Sequence, residues 1–156
     1  MNLEKPTIQR GQAGFSLAEL LVLVAIIGIL STMSVPFFIS YYRSAAVKAA
    51  AEEVATFLHQ GRQIAIKENT SVCASIDGNA MHYHLINCAG TMWVGAGTDA
   101  AGNKRIPAGF TLTTTAEPIF SYLGAAAPAG TFTVTHTPSG RTITVTVTAA
   151  GLVTIP

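Results

Sequence analysis

Charged side chains are scarce in this sequence. Only 11% of its 156 residues are Asp, Glu, Lys or Arg, and the formal net charge is +1. Without the first 14 residues, seven basic and seven acidic side chains remain, so neither sign dominates. A strong attraction to nucleic acid or to anionic lipid needs clustered Lys and Arg. The composition therefore argues against a nucleic-acid partner.

Catalytic and cofactor motifs are also missing. The sequence contains no nucleophile elbow, no phosphate-binding glycine loop and no dense metal-ligand motif. Glu52 and Glu53 are adjacent on a predicted helix, where neighbouring side chains do not face each other, so they are a poor catalytic pair. His59 lies among apolar helix residues and is better explained by packing or surface exposure. We expect no enzyme activity, no cofactor and no metal ion.

What the sequence does contain is a long apolar run near its N-terminus. Every residue from Leu20 to Leu30 is Leu, Val, Ala, Ile or Gly, and Glu19 is the one ionisable side chain between Phe15 and Phe38. A helix over these positions is roughly 36 Å long, enough to cross a bilayer core of about 30 Å. The run therefore predicts a membrane-spanning helix at 15–38.

The residues before this run do not have the order of a secretory signal peptide. Such a peptide has its small-residue cleavage site after the apolar core, whereas Ala13 and Gly14 come before it. Cleavage there would leave the apolar helix on the mature chain. Lys5 and Arg10 satisfy the positive-inside rule, which predicts a cytoplasmic N-terminus and a periplasmic or extracellular chain after Phe38.

From Gly14 onward, the sequence resembles the class III signal of type IV prepilins and pseudopilins. It reads Gly-Phe-Ser-Leu-Ala-Glu-Leu at 14–20, followed by the apolar run. The resemblance implies that 1–14 is a leader removed by prepilin peptidase, with methylation of Phe15. It also implies that Glu19 pairs with the terminal amine of a neighbouring subunit and that Pro36 kinks the helix. The implied partners are the peptidase, other pilins or pseudopilins, and an inner-membrane assembly platform.

The energetics of Glu19 agree with an assembly role. A carboxylate at the membrane centre costs about 2.5–3.5 kcal/mol. The alternative is an acid favoured by the dipole at a helix start, which contributes only about 0.3–1 kcal/mol. A charge partner in another subunit therefore explains Glu19 better than the dipole alone.

The helix is predicted to continue as an amphipathic segment at 39–69. Small and apolar residues recur every three to four positions, with the charged residues mostly on other faces. Asn69 is a plausible stop, and Lys67 in the last turn is favoured by the dipole. One helix from about Phe15 to Glu68 follows. The recurring positions are Val47, Ala50, Ala51, Val54, Phe57, Leu58, Gly61 and Ala65.

Cys73 and Cys88 belong to the exported part of the chain, where two cysteines most often form a disulfide. Free thiols are one alternative. The other is a metal site that uses both cysteines together with His82 and His84, which share a strand face by period two. The spacing matches no standard zinc motif, so the disulfide is the preferred prediction.

Residues 70–156 have the pattern of an all-β domain. Alternating segments at 71–76 and 81–86 flank a turn at 77–79 and predict a hairpin. Residues 92–94 are a short strand candidate, and a turn-rich loop covers 95–104. Asp99 and Asn103 in that loop lack the dense acidic set of a calcium loop, so a plain surface loop is preferred.

The C-terminal third contains the clearest strands. Residues 110–115 and 119–123 are strand candidates, and the low-complexity segment 124–130 is predicted to be an exposed loop. Residues 131–136 and 142–148 alternate Thr with larger residues around a turn, which predicts a hairpin with one buried face. A last strand at 152–155 closes the sheet.

A helix followed by β-strands resembles the GspH/FimT pseudopilin family. The segments 61–73, 139–141 and 151–155 are similar to that family's helix end and closing hairpins. The implied fold is α+β, the pilin fold, with a long N-terminal helix packed on an antiparallel β domain. The implied function is a structural subunit, a minor pilin or pseudopilin, of a type II secretion pseudopilus or type IV pilus in the bacterial inner membrane.

Two other functions stay open at this stage. A major pilin is possible because small Ala-, Gly- and Thr-rich domains suit abundant helical packing. Some FimT-type pilins bind DNA through basic residues near the C-terminus, but 151–155 contains no Arg or Lys. Outside the helix, the exported basic residues are Lys104, Arg105 and Arg141, a poor footprint for phosphate contacts.

Overall fold

The computed structural model describes residues 14–156. The chain divides into two compact units, one ending at Ser40 and one running from Tyr41 to Pro156. An α-helix, α1, extends from Leu17 to Lys67 and contributes residues to both units. The predicted helix at 15–68 is therefore present, with its two ends slightly shortened.

The C-terminus of α1 ends in a Schellman motif. Asn69 has a φ of 50°, in the left-handed region that Asn tolerates better than most residues. The Thr70 N–H donates to the Ala65 carbonyl at 3.1 Å, and the Asn69 N–H donates to the Ile66 carbonyl at 3.4 Å. These two bonds use carbonyls that would otherwise lack partners at the helix end. The predicted stop at Asn69 therefore has a specific geometry.

One stripe of α1 is buried within the second unit, as the periodicity predicts. Its members are small or apolar and lie three or four residues apart. Glu52 and His59 are exposed, and Glu53 is half-buried. The buried residues include Val47, Ala50, Ala51, Val54, Phe57, Leu58, Gly61, Ile64 and Ala65.

The described residues after α1 contain nine β-strands in two antiparallel sheets. The first sheet has the order β3-β2-β1-β5-β6, and the second has the order β4-β7-β8-β9. The strands are β1 Val72–Asp77, β2 Ala80–Leu85, β3 Asn103–Arg105, β4 Phe110–Thr114, β5 Ile119–Phe120, β6 Ala126–Ala127, β7 Gly130–His136, β8 Arg141–Val147 and β9 Val153–Thr154. The α+β architecture predicted from the sequence is confirmed.

Both predicted hairpins are present. Strands β1 and β2 pair up to Asp77 and Ala80, so Gly78 and Asn79 form the turn. Strands β7 and β8 pair along their full seven residues. Their larger side chains are mostly buried, while the threonines of the same strands are half-buried or exposed. Strict alternation in the sequence therefore identified the buried face.

The prediction of a strand at 92–94 was wrong. Met92 makes only an isolated bridge to His84. Trp93 also donates its backbone N–H to the Tyr83 carbonyl at 2.8 Å, but regular pairing goes no further. The outer position beside β2 is instead taken by β3, which begins inside the predicted loop at 95–104 and pairs with residues 80–82.

The prediction of an exposed loop at 124–130 was also wrong in part. Strand β6 lies within this segment, and its Ala126 is buried beside Phe120 of β5. The Ala126 N–H donates to the Ala149 carbonyl at 3.0 Å. Gly124 is buried as well. Small residues here let two chain segments approach closely, which composition alone cannot distinguish from a flexible loop.

Tyr83 is the centre of the contact between α1 and the first sheet. Its ring stacks on Phe57 with centroids 4.2 Å apart and meets Trp93 edge-on at 5.7 Å. Its hydroxyl donates to the Phe57 carbonyl at 2.8 Å. Because the side chain is fully buried, desolvation raises the pKa of Tyr83 well above its usual value. The hydroxyl therefore acts as a neutral donor that fixes the ring on the helix.

Candidate functional site

The residues just before α1 are exposed. Gly14, Phe15 and Ser16 lie outside the helix, and the Phe15 side chain is 80% exposed. A Cβ placed on Gly14 would meet no heavy atom within 4 Å. The described fold therefore makes no steric demand for glycine at this position. The rest of the predicted leader, 1–13 with Lys5 and Arg10, lies outside the described residues.

Glu19 forms a capping box with Ser16 at the start of α1. The Ser16 N–H donates to Glu19 Oε2 at 2.9 Å, and the Glu19 N–H donates to Ser16 Oγ at 3.2 Å. This reciprocal pair satisfies two backbone donors that a helix start leaves without partners. The Ser-x-x-Glu spacing at 16–19 is the sequence signature of this motif, a signal beyond the dipole that was weighed for Glu19 from the sequence. Glu19 therefore has a local structural contact in addition to its predicted role between subunits.

The surface of α1 in the first unit is apolar and exposed. The side chains from Leu20 to Leu30 are all exposed. By length and composition, α1 is sufficient to cross a membrane. An apolar surface of this extent is stable only against lipid or against other apolar protein surfaces.

Pro36 lies inside α1 and does not end it. Proline has no N–H, so the carbonyl of Thr32 lacks its usual helical donor. The hydroxyls of Thr32 and Ser34 donate to the carbonyls of Ile29 and Leu30 at 2.8 and 2.9 Å. These two hydroxyls are thus satisfied within the helix. The kink expected at Pro36 stays a prediction.

Cys73 and Cys88 form a disulfide, with Cα atoms 5.0 Å apart. It ties the loop after β2 to the buried strand β1 and closes a separation of 15 residues. Both sulfurs are thereby used, so the alternative metal site with His82 and His84 does not have its two thiolates in this structure.

Glu117 is a neighbour of the disulfide that the sequence analysis missed. A carboxylate oxygen of Glu117 lies within 4.8 Å of both cysteine sulfurs. Its Oε1 also accepts a hydrogen bond from the Ile76 N–H at 3.2 Å. Pairing of Cys73 with Ile119 brings Glu117 opposite this part of β1. No local sequence pattern predicts that register.

The loop around Asp99 is closed by its own carboxylate. Asp99 Oδ1 accepts from the backbone N–H groups of Ala101 and Asn103 at 2.9 and 2.8 Å. Its Oδ2 accepts from Asn103 Nδ2 at 3.2 Å. The Asn103 backbone bond is the main cause that lowers the pKa of Asp99. This arrangement agrees with the surface-loop interpretation over calcium binding.

The basic residues of the second unit are dispersed. Arg62 donates from Nε to the Gly124 carbonyl at 2.9 Å, and Arg141 donates to Ser44 Oγ. Lys104 and Arg105 lie on β3 at the edge of the first sheet. A groove for nucleic acid needs several cations along one path. The seven basic residues of this unit are instead divided among the two sheets and α1, which also carries Arg43, Lys48 and Lys67.

Two family profiles match this chain. The profile described as "Type II transport protein GspH" matches residues 50–151. The profile described as "Prokaryotic N-terminal methylation motif" matches residues 9–35. No curated protein matches the chain.

Solved structures of similar fold include the type IV minor pilin FimU of Pseudomonas aeruginosa. One crystal form has a TM-score of 0.54 and 15% identity, covering 70% of this chain and 91% of FimU. A second form has a TM-score of 0.53 and 15% identity, covering 74% and 92%. The minor pseudopilin EpsH of Vibrio cholerae has a TM-score of 0.54 and 12% identity, covering 70% and 95%. At these identities, the likeness establishes the fold.

The GspH profile covers well over half of the chain, and the methylation motif covers the segment that contains Gly14, Phe15 and Glu19. Proteins of this kind are structural subunits rather than enzymes. The observed helix and sheets agree with the pilin fold. This protein belongs to the GspH family of type II transport proteins.

Proposed function

We propose that this protein is a minor pilin or pseudopilin that assembles into a type II secretion pseudopilus or a type IV pilus. The observation that carries the proposal is an exposed apolar helix directly after Gly14 and Phe15, joined to a GspH-type β domain. The minor pilin FimU and the minor pseudopilin EpsH share this fold, which supports the minor-subunit assignment.

Processing by prepilin peptidase after Gly14, with methylation of Phe15, is part of the proposal. Three observations support it: the match to the methylation motif, the exposure of both residues, and the absence of any fold contact that requires glycine at position 14 among the described residues. A glycine that the fold does not need is explained by recognition in the peptidase.

Glu19 has two tasks in the proposed mature subunit. Cleavage after Gly14 leaves both Ser16 and Glu19 on the chain, so the capping box can persist. The Ser16 N–H uses Oε2, and Oε1 is the oxygen that would receive the terminal amine of a neighbouring subunit. Such a charge-assisted bond is about twice as strong as a neutral one and offsets the cost of a carboxylate in an apolar surrounding.

In the proposed assembly, the apolar part of α1 and the β domain have different roles. The apolar part of α1 holds the subunit in the inner membrane, with the β domain on the periplasmic side, and later packs against the helices of other pilins. An inner-membrane assembly platform would extract it. The β domain would form the outer surface of the filament.

Mass spectrometry of sheared surface filaments and of the membrane fraction tests this assignment. We expect processed protein with a methylated Phe15 to be scarce in the filaments and abundant in the membrane fraction. A methylated Phe15 peptide that dominates the filaments would instead favour the major pilin. An uncut Met1 terminus in both fractions would contradict the processing step.

Substitutions at Glu19 separate its two tasks. Gln can replace Glu in a capping box, so Glu19→Gln keeps the cap but removes the charge. We expect Glu19→Gln to be as defective in filament incorporation as Glu19→Ala, although both variants reach the membrane. Glu52→Ala, on an exposed part of α1, is the control and should assemble normally. Normal incorporation of Glu19→Gln into filaments would contradict the charge pairing between subunits and would leave Glu19 with its capping role alone.

A further inference from the structure

His82 and His84 share one face of β2. Their neighbours on the strand, Met81 and Tyr83, belong to the hydrophobic core, so the two histidines lie on the opposite face. Pairing with β1 places His84 across from Cys73. The two imidazole centroids are 6.2 Å apart with an angle of 49° between the ring planes.

The tautomer of His84 is fixed by its surroundings. Its Nδ1 lies 3.0 Å from the Gly90 carbonyl. A carbonyl only accepts, so Nδ1 carries the proton and Nε2 carries the lone pair. Histidines that ligate metals usually donate their other N–H to a carbonyl or carboxylate in this way, because the bond orients the ring.

His82 provides the second observation. The residue is only 9% exposed, and its Nδ1 is buried with no hydrogen-bond partner in the described chain. A buried polar atom without a partner calls for an explanation, and a role as a metal ligand is one. The carbonyls and hydroxyls of the neighbouring strands do not supply that partner.

We propose that His82 and His84 bind a borderline divalent transition-metal ion, Zn²⁺ or Cu²⁺, on the outer face of the first sheet. Imidazole is a preferred ligand for both ions. A metal–nitrogen bond is about 2.0–2.1 Å long, so two rings on one ion have centroids no more than about 6.5 Å apart. That limit applies when the two nitrogens lie opposite each other, whereas a tetrahedral angle brings the centroids to about 5.2 Å. The observed 6.2 Å therefore fits the wide N–metal–N angle available in a tetragonal Cu²⁺ site, and one ring would turn to hold tetrahedral Zn²⁺. Water completes the coordination, since the disulfide uses both cysteine sulfurs.

This site differs from the one considered from the sequence. The cluster formed by Cys73, Cys88 and Glu117 satisfies a distance criterion, but a disulfide offers no thiolate to a metal. The histidine pair needs no reduction of the disulfide and therefore operates in the oxidised protein. It is also independent of filament assembly, which depends on α1.

Copper titration of the full-length protein in detergent, after removal of metals and without reductant, tests the site. We expect saturable binding of one Cu²⁺ with an electron paramagnetic resonance spectrum that shows two nitrogen ligands, and we expect Zn²⁺ to compete. His84→Gln should weaken binding by roughly 10–100-fold or more, the range lost even when an outer-shell partner is removed. His82→Gln should do the same.

His59→Gln is the matched control, because His59 is an exposed histidine on α1. Binding that is unchanged in His59→Gln and lost in His84→Gln supports the site. Equal binding by wild type and His84→Gln, or loss in His59→Gln, overturns it, as does the absence of saturable binding. If His82→Gln fails to fold by circular dichroism, protection of the wild-type histidines from diethyl pyrocarbonate by Zn²⁺ gives the second measurement. Failure of Zn²⁺ to protect His84 also refutes the proposal, since His82 is too buried for the reagent to report on it.

Discussion

At Gly61, α1 lies close to side chains of the first sheet. A Cβ at this residue would lie 3.0 Å from Tyr83 Cε1 and 3.3 Å from Tyr83 Cδ1, with Phe120 Cδ2 at 3.7 Å. Tyr83 cannot move away easily, because its hydroxyl bonds to the Phe57 carbonyl and its ring lies between Phe57 and Trp93. Gly61→Ala therefore tests whether this contact is rigid.

Two opposing effects decide the outcome of Gly61→Ala. Alanine in a helix interior is favoured over glycine by about 0.8–1 kcal/mol. Overpacking of a well-packed core costs about 1–3 kcal/mol. Since the ring is fixed on three sides, we take an overpacking cost of about 2 kcal/mol, and we expect a net destabilisation of about 1 kcal/mol. For a unit of this size, the midpoint of thermal unfolding would fall by roughly 4 °C.

The assay is thermal unfolding of the full-length protein in detergent, followed by near-ultraviolet circular dichroism. The sequence has one tryptophan, Trp93, and it contacts Tyr83, so the signal reports on this part of the core. Ala49→Gly is the matched control. Ala49 is an exposed residue of α1, so this change measures helix propensity without packing.

Making Gly61→Ala in a Tyr83→Phe protein tests the role of the Tyr83 hydroxyl. Tyr83→Phe removes the bond to Phe57 and frees the ring to shift, so the cost of Gly61→Ala should be smaller there. We expect a coupling energy of at least about 0.5 kcal/mol. Stabilisation by Gly61→Ala in the wild-type background, equal to the propensity gain, would refute a rigid contact at Tyr83.

Three further predictions concern the β domain. Replacing Cys73 and Cys88 with serine should lower the free energy of unfolding by about 3 kcal/mol, as expected for a closed loop of this length. Denaturant unfolding of the wild type, with and without reductant, and of the serine variant measures this loss, and a much smaller loss would contradict the prediction. Gly151→Ala places Cβ 1.9 Å from the Gly124 carbonyl oxygen at a φ of +73°, whereas Gly140→Ala at +65° meets nothing; a thermal shift that is not clearly larger for Gly151→Ala would contradict the close contact. The pKa of Asp99 is lower in the folded protein than in the unfolded chain. The stability that Asp99 contributes is therefore complete above the unfolded pKa of about 3.9 and is lost as pH falls through the folded pKa. Asp99→Asn should abolish this part of the acid dependence, which unfolding measured as a function of pH would show.

The sequence predicted the elements with strong periodicity. The apolar run and the amphipathic stripe gave α1 almost to the residue, because each buried position, such as Val54, recurs at helical spacing. Alternation around two turns gave the hairpins β1–β2 and β7–β8. The turn at Asn69 was also predictable, since Asn tolerates the left-handed conformation.

The failures fall where side chains carry little information. Residues 124–130 are Gly, Ala and Pro, and β6 forms there because the neighbouring strand β5 supplies a partner, not because of local preference. Met92 and Val94 look like strand residues, but the chain turns away after one bridge to His84. In both places, tertiary contacts decided the structure.

The candidate sites show the same division. Gly14, Phe15 and Glu19 could be named because a linear motif carries them. The outer face with His82, His84 and Glu117 depends on strand register, which brings Ile119 beside Cys73 over a separation of more than forty residues. A register of that kind is set by the whole sheet and has no local sequence mark.

The two units are stabilised in different ways, so variants in one unit and in the other should change different measurements. Residues of α1 before Ser40 expose apolar side chains that only lipid or other subunits can cover. The second unit has its own buried core, centred on Tyr83, Phe57 and Phe120. Loss of charge at Glu19 should therefore impair assembly without changing the near-ultraviolet melt, and overpacking at Gly61 should change the melt before it affects membrane retention. A lower unfolding midpoint for Glu19→Gln would mean that the two parts of α1 are energetically coupled. The effect of Glu19 would then extend beyond the local capping box.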